Sequence, residues 1–204
     1  MSDDRRAHRP GVYADLTKYI DAAGGTSEVS RIELASATAA VVVQAGRDAG
    51  DADHDLVDLA DRVGLDTLAA LWRDADPVSL PGALWALYLL RQWFRTNSEE
   101  VRRLWQAGEP FAAPDAVVAG MAEPGDVASV HQVADAVLGG AYRGDFAVAL
   151  ERAAAVFRVV AAGRRQLAPE GPDGSAAREL AERNERVAAD LRLCAENWRV
   201  GLLR

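Results

Sequence analysis

Residues 81–94 read PGALWALYLLRQWF, the most apolar window of the chain. Wound as a helix, the window puts Trp85, Leu89 and Trp93 at i, i+4 and i+8, on one face. Leu84, Leu87, Arg91 and Phe94 fill much of the remaining circumference, and only the neighbourhood of Arg91 and Gln92 is polar. A helix apolar nearly all round is one that other helices surround. At about fourteen residues the window is too short to cross a bilayer. It is expected to be the central rod of a helical domain.

Outward from this rod, the punctuation is helical throughout. Ser79 followed by Pro81 is a cap and a first-turn proline. Asn97 and Ser98 before Glu99 and Glu100 mark the next helix, which carries Val101, Leu104 and Trp105 and stops at Gly108. Upstream, apolar spacing predicts helices over 12–23, 28–46, 56–63 and 65–74. Downstream, Pro114 and Pro124 open short helices over 114–121 and 124–138, and Asp145 caps a long one with Phe146, Ala149, Leu150, Ala153, Phe157 and Val160 on one stripe. No run alternates β-branched and aromatic residues between hairpin turns. The expected fold is all-α, a bundle of about eight or nine helices.

Its expected organisation is a disordered tail over 1–11, a helical bundle over 12–162, a flexible linker over 163–175 and a C-terminal amphipathic helix over 176–204. The linker, GRRQLAPEGPDGS, holds Pro169, Gly171, Pro172 and Gly174. A faint echo between 59–63 (LADRV) and 133–137 (VADAV) is expected from chance in an Ala-, Asp- and Val-rich chain.

The 204 residues are 50% hydrophobic, enough for a sizeable core. A formal charge of −8 disfavours nucleic acid and anionic membranes as partners. Lys18 is the sole lysine among 23 basic residues, which reads as base composition. Cys194 stands alone, so no internal disulfide forms, and no apolar leader or long apolar span occurs. The expected location is the cytoplasm.

Motifs whose spacing chemistry dictates are missing: no P-loop, G-x-G-x-x-G, G-x-S-x-G, H-E-x-x-H or C-x-x-C is found. Asp51, Asp53 and Asp55 alternate as carboxylates in a cation loop do, but Leu56 stands where glycine is required and Arg62 where glutamate is. Asp55, Asp58 and Asp61 step by three as in all-α isoprenoid enzymes, without a second such motif. No metal is expected there, and acidic residues near a helix start suffice as explanation. Glu179, Glu182 and Glu185 lack the E-x-x-H partners of a di-iron bundle and read as a solvated face. No cofactor is expected.

Two readings of function follow. The first is a non-enzymatic soluble helical protein acting by protein–protein contact, with a homodimer expected. Leu180, Asn184, Val187, Leu191, Cys194, Trp198 and Gly201 recur at steps of four and three, a heptad seam that Leu202 finishes. The alternative is a small-molecule-binding domain with an apolar pocket walled by Trp72, Trp85, Tyr88 and Trp93. Against that pocket, the simpler expectation is that the tryptophans around the most apolar helix are core.

Overall fold

The computed structural model describes residues 28–49, 65–120, 135–137 and 145–204. Among the described residues there are seven α-helices of more than one turn: α1 (Glu28–Ala49), α2 (Leu65–Trp72), α3 (Leu80–Thr96), α4 (Ser98–Gly108), α5 (Ala113–Ala119), α6 (Phe146–Leu167) and α7 (Ser175–Arg199). Single 3₁₀ turns cover Glu109–Phe111 and Pro172–Gly174, and 135–137 is a further helical piece. The fold is all-α, with no strand among the described residues. The tail over 1–11, the helices over 12–23 and 56–63, the acidic stretch with Asp51, Asp53 and Asp55, and most of 124–138 lie outside them.

The elements begin where side chains take up the free amides of a first turn. Ser79 Oγ accepts from the Gly82 N–H at 3.2 Å and donates to the Asp76 carbonyl, while Asp76 Oδ1 accepts from the Val78 N–H at 2.8 Å. Asp145 Oδ1 accepts from the Ala147 and Val148 amides and so starts α6. At α4 the geometry differs from expectation: Ser98 bonds back to the Phe94 carbonyl, and Asn97 makes no capping bond.

The central rod is α6, not α3. Helices α3, α4, α5 and α7 all pack on α6, α7 most extensively. Its buried face runs Phe146, Ala149, Leu150, Ala153, Val156, Val160 and Gly163, with Ala147, Ala154, Ala155, Val159 and Ala161 buried beside it. Most of these side chains are small, so neighbouring helices approach closely. The closest approach joins α4 to α6. A Cβ on Gly108 would lie 2.0 Å from the Val159 carbonyl oxygen, and one on Gly163 would lie 1.9 Å from that of Leu104. The two backbones touch there with no side chain between them.

That crossing explains why α6 continues to Leu167, five residues into the expected linker. Gly163 is a contact residue inside a helix rather than a helix stop. The rest of the linker is a tight connection. Arg178 donates to the Pro169 and Gly171 carbonyls at 2.8 and 2.9 Å, and Gly171 takes the left-handed conformation. Helix α7 then ends at Arg199 in a Schellman turn: Gly201 has φ of 72°, its amide donates to Trp198, and the Leu202 amide donates to Asn197. The Arg204 carbonyl finally accepts from the Leu80 N–H at 2.9 Å, tying the C-terminus to the start of α3.

Alanine is a better helix former than glycine by about 0.5–1 kcal/mol. At Gly163 the opposite sign is expected. Gly163→Ala should destabilise by about 2 kcal/mol or more, because backbone cannot yield to the new methyl. Urea unfolding of this variant checks it, and a gain in stability would remove the crossing from the fold.

Candidate functional site

Helix α3 turns its polar residue inward. Leu80, Leu84, Leu87, Tyr88, Arg91 and Phe94 are buried, whereas Trp85 and Trp93 are half-buried and Leu89 is 40% exposed. The guanidinium of Arg91, 1% exposed, donates from Nε to Asp135 Oδ1 at 2.7 Å. A buried cation must be paired, and that partner sits on one side of α3 only. With Arg91 held there, Trp85, Leu89 and Trp93 face the other way.

They face a cleft of about 420 Å³. One wall is α3, with Gly82, Trp85, Ala86, Leu89, Leu90 and Trp93. Opposite stand Phe157 and Arg164 of α6 and Asn184, Val187 and Asp190 of α7, and Arg73, Ala75 and Pro77 close one end. The apolar part is supplied by α3, Phe157 and Val187, and the polar groups stand around it. Arg164 lies over the Trp93 ring at 5.4 Å and donates to Glu100 Oε1 at 3.2 Å; its Nε has no hydrogen-bond partner among the described residues. Asp190 has its carboxyl held above the usual range by burial first and by the charge of Asp76 second, with Arg186 opposing.

The four aromatic residues expected to wall a pocket therefore separate. Trp85 and Trp93 line the cleft. Trp72 and Tyr88 are core: both are buried, their rings are 5.9 Å apart, and Trp72 Nε1 donates to Thr38 Oγ1 at 3.1 Å. The Thr38 hydroxyl donates in turn to carbonyls of its own helix, so an indole N–H is satisfied inside the core. Trp72 and Trp105 are fully in the core, whereas Trp85 and Trp93 are half-buried and packed against its edge.

The seven seam residues of the last helix also divide. Leu191 and Cys194 are buried in the chain's own core, Trp198 meets Phe146 edge-on at 4.8 Å, and Asn184 and Val187 face the cleft. Leu180 and Leu202 are exposed. Ala181, Ala188 and Ala195, one residue after Leu180, Val187 and Cys194, occupy the buried row instead. Past the turn at Gly201 it is Leu203, not Leu202, that packs inward. The thiol of Cys194 rests on the Pro77 carbonyl, and burial, with Asp190 and Asp76 behind it, pushes its pKa up to about 12. A thiol so protonated is a poor nucleophile at neutral pH.

Sequence reasoning missed Arg164, Asp190 and Phe157, whose place on the cleft depends on how α6 and α7 cross α3. Among the described residues no group of three or more His, Cys, Asp or Glu is placed to hold a metal, and no helix is long and apolar enough to cross a membrane. Glu185 pairs with Arg165 at 2.6 Å on the outer surface.

Truncation should separate the two kinds of tryptophan. Trp72→Ala is expected to cost about 3–5 kcal/mol, the range for large core aromatics. Trp85→Ala should cost less than about 2 kcal/mol, since its outer face already meets water. Equal losses in urea unfolding would put Trp85 back in the core. Comparison of the chain with protein-family models, with curated proteins and with solved structures gave no match.

Proposed function

We propose that the protein is a small-molecule-binding helical domain whose site is the cleft between α3, α6 and α7. One observation carries the reading: Trp85 and Trp93, two helical turns apart, are kept out of the core and face a cleft of about 420 Å³. That volume lies within the roughly 300–1,000 Å³ of ligand pockets, and an apolar wall with a few polar groups at its edge is their usual make-up. Apolar area left in water also costs free energy that a ligand would recover. Binding without a chemical step is part of the reading, and the buried, protonated Cys194 is consistent with it. A cytoplasmic setting belongs to it as well, on the single cysteine.

Isothermal titration with 1-naphthalenemethanol, a flat neutral probe, is expected to give one site, weakened about tenfold or more in Trp85→Ala and Trp93→Ala, roughly the contact energy of one large aromatic. No heat of binding up to the solubility limit of the probe would overturn the reading.

Protein–protein contact is the second reading, and its specific support is now on α5 and the turn before it rather than on α7. Phe111, Val117 and Val118 are 66%, 80% and 52% exposed, while Ala116 and Ala119 of the same helix are buried. Light scattering is expected to give a dimer mass that falls to that of a monomer in Val117→Asp. A monomer for the parent chain at micromolar concentration would end this reading.

A further inference from the structure

The polar edge of the cleft carries a sign, and it selects the ligand. Two arginines and one aspartate stand on the walls, but each arginine has a carboxylate of its own: Arg164 has Glu100 at 3.2 Å, and Arg73 has Asp74 at 3.6 Å. Asp190 has none. Neither Asp190 nor its neighbour on the same wall, Asn184, makes a side-chain hydrogen bond or an ion pair with any described residue. Arg73, Arg164 and Arg186 stand against Asp74, Asp76, Glu100 and Asp190, three charges against four, so the surplus around the cleft is negative, and Asp190 presents it opposite the aromatic wall of α3.

We propose that the cleft takes a flat apolar molecule bearing one protonated amine, with the rings against Trp85, Trp93 and Val187 and the ammonium on the carboxylate of Asp190. The inference rests on the binding reading above. A half-buried carboxylate that makes no hydrogen bond or ion pair with a described residue, with the like charge of Asp76 set against that of Arg186 on its own helix, has given up hydration with little compensation, and a cation in the cleft restores it. Indole faces attract cations as well as apolar rings, so both walls favour the same ligand. The net charge of −8 draws a cation toward the chain and repels an organic acid. Asn184 offers its amide oxygen to a second ammonium proton.

Three probes of one ring system decide the matter: 1-naphthylmethylammonium, 1-naphthalenemethanol and 1-naphthoate, each titrated calorimetrically into the full chain at neutral pH. The ammonium should bind one-to-one and about tenfold tighter than the alcohol, as one charge-assisted hydrogen bond gives, with the acid weakest. Asp190→Asn should bring the ammonium to the level of the alcohol, and Asp190→Glu should keep the preference. The ranking in the parent chain decides even if a variant fails to fold. Alcohol binding with no gain for the ammonium, or naphthoate binding tightest, overturns the inference and leaves the cleft a binding site. Binding of none of the three overturns both.

Discussion

The backbone contact between α4 and α6 at Gly108 and Gly163 fixes the frame on which everything else is built. With carbonyl oxygens about 2 Å from where a Cβ would stand, no other residue fits either position without moving a helix. Helix α6 is thereby held against α4, and α4 follows α3 through the single residue Asn97. The position of α3 relative to α6 thus descends from two glycines that a helix-propensity reading counts as defects. Salt links at the edges add little by comparison. Arg199 to Glu151 joins α7 to α6 but is partly in water, where such pairs contribute on the order of 0–1 kcal/mol, and Arg164 to Glu100, joining α6 to α4, keeps its carboxylate partly in water.

The second constraint is rotational. Helix α3 has apolar residues nearly all round, so hydrophobicity alone would accept several orientations about its axis. Arg91 breaks that degeneracy. Its guanidinium, paired with Asp135, lies on the same side of α3 as the buried Leu84, Leu87, Tyr88 and Phe94, and Trp85, Leu89 and Trp93 lie on the other, at the cleft. A buried ion pair contributes little net stability over an apolar substitute, but it does select one packing among several.

The helices were legible in the sequence because their ends are marked chemically. Ser79 and Asp145 form the side-chain caps expected of them, whereas Gly201, expected on the seam of a helix reaching 204, instead closes α7 as glycine does past a helix end. What failed were judgements about faces. The apolar count of 81–94 made it look central, since Arg91 reads as an exposed residue until its partner 44 positions away is known. On α7 the expected seam meets the core at Leu191 and Cys194, whereas Leu180 is exposed and Val187 half-buried, and the alanines one residue after them are buried. Yet α6 presents mainly alanine and valine, and a close pair of helices buries small residues at its seam. The tryptophan wall of the cleft could be read from spacing within one helix. Its polar edge could not, because Arg164 and Asp190 arrive from helices whose crossing no local pattern encodes.

The alanine row and the cleft are two faces of one arrangement. Ala181, Ala188 and Ala195 let α7 lie close along α6, and the residues flanking that row, Asn184, Val187 and Asp190, reach the cleft for that reason. Both ends of α7 are fastened: Arg178 locks the connection from α6, and the chain beyond Gly201 returns to the first residue of α3. The cleft is therefore bounded by three helices whose spacing is set elsewhere, at a glycine crossing, at an alanine seam and at a terminal hydrogen bond. Walls held by their surroundings in this way would lose little freedom on taking up the proposed ligand, and such preorganisation is a general route by which an apolar cleft gains affinity.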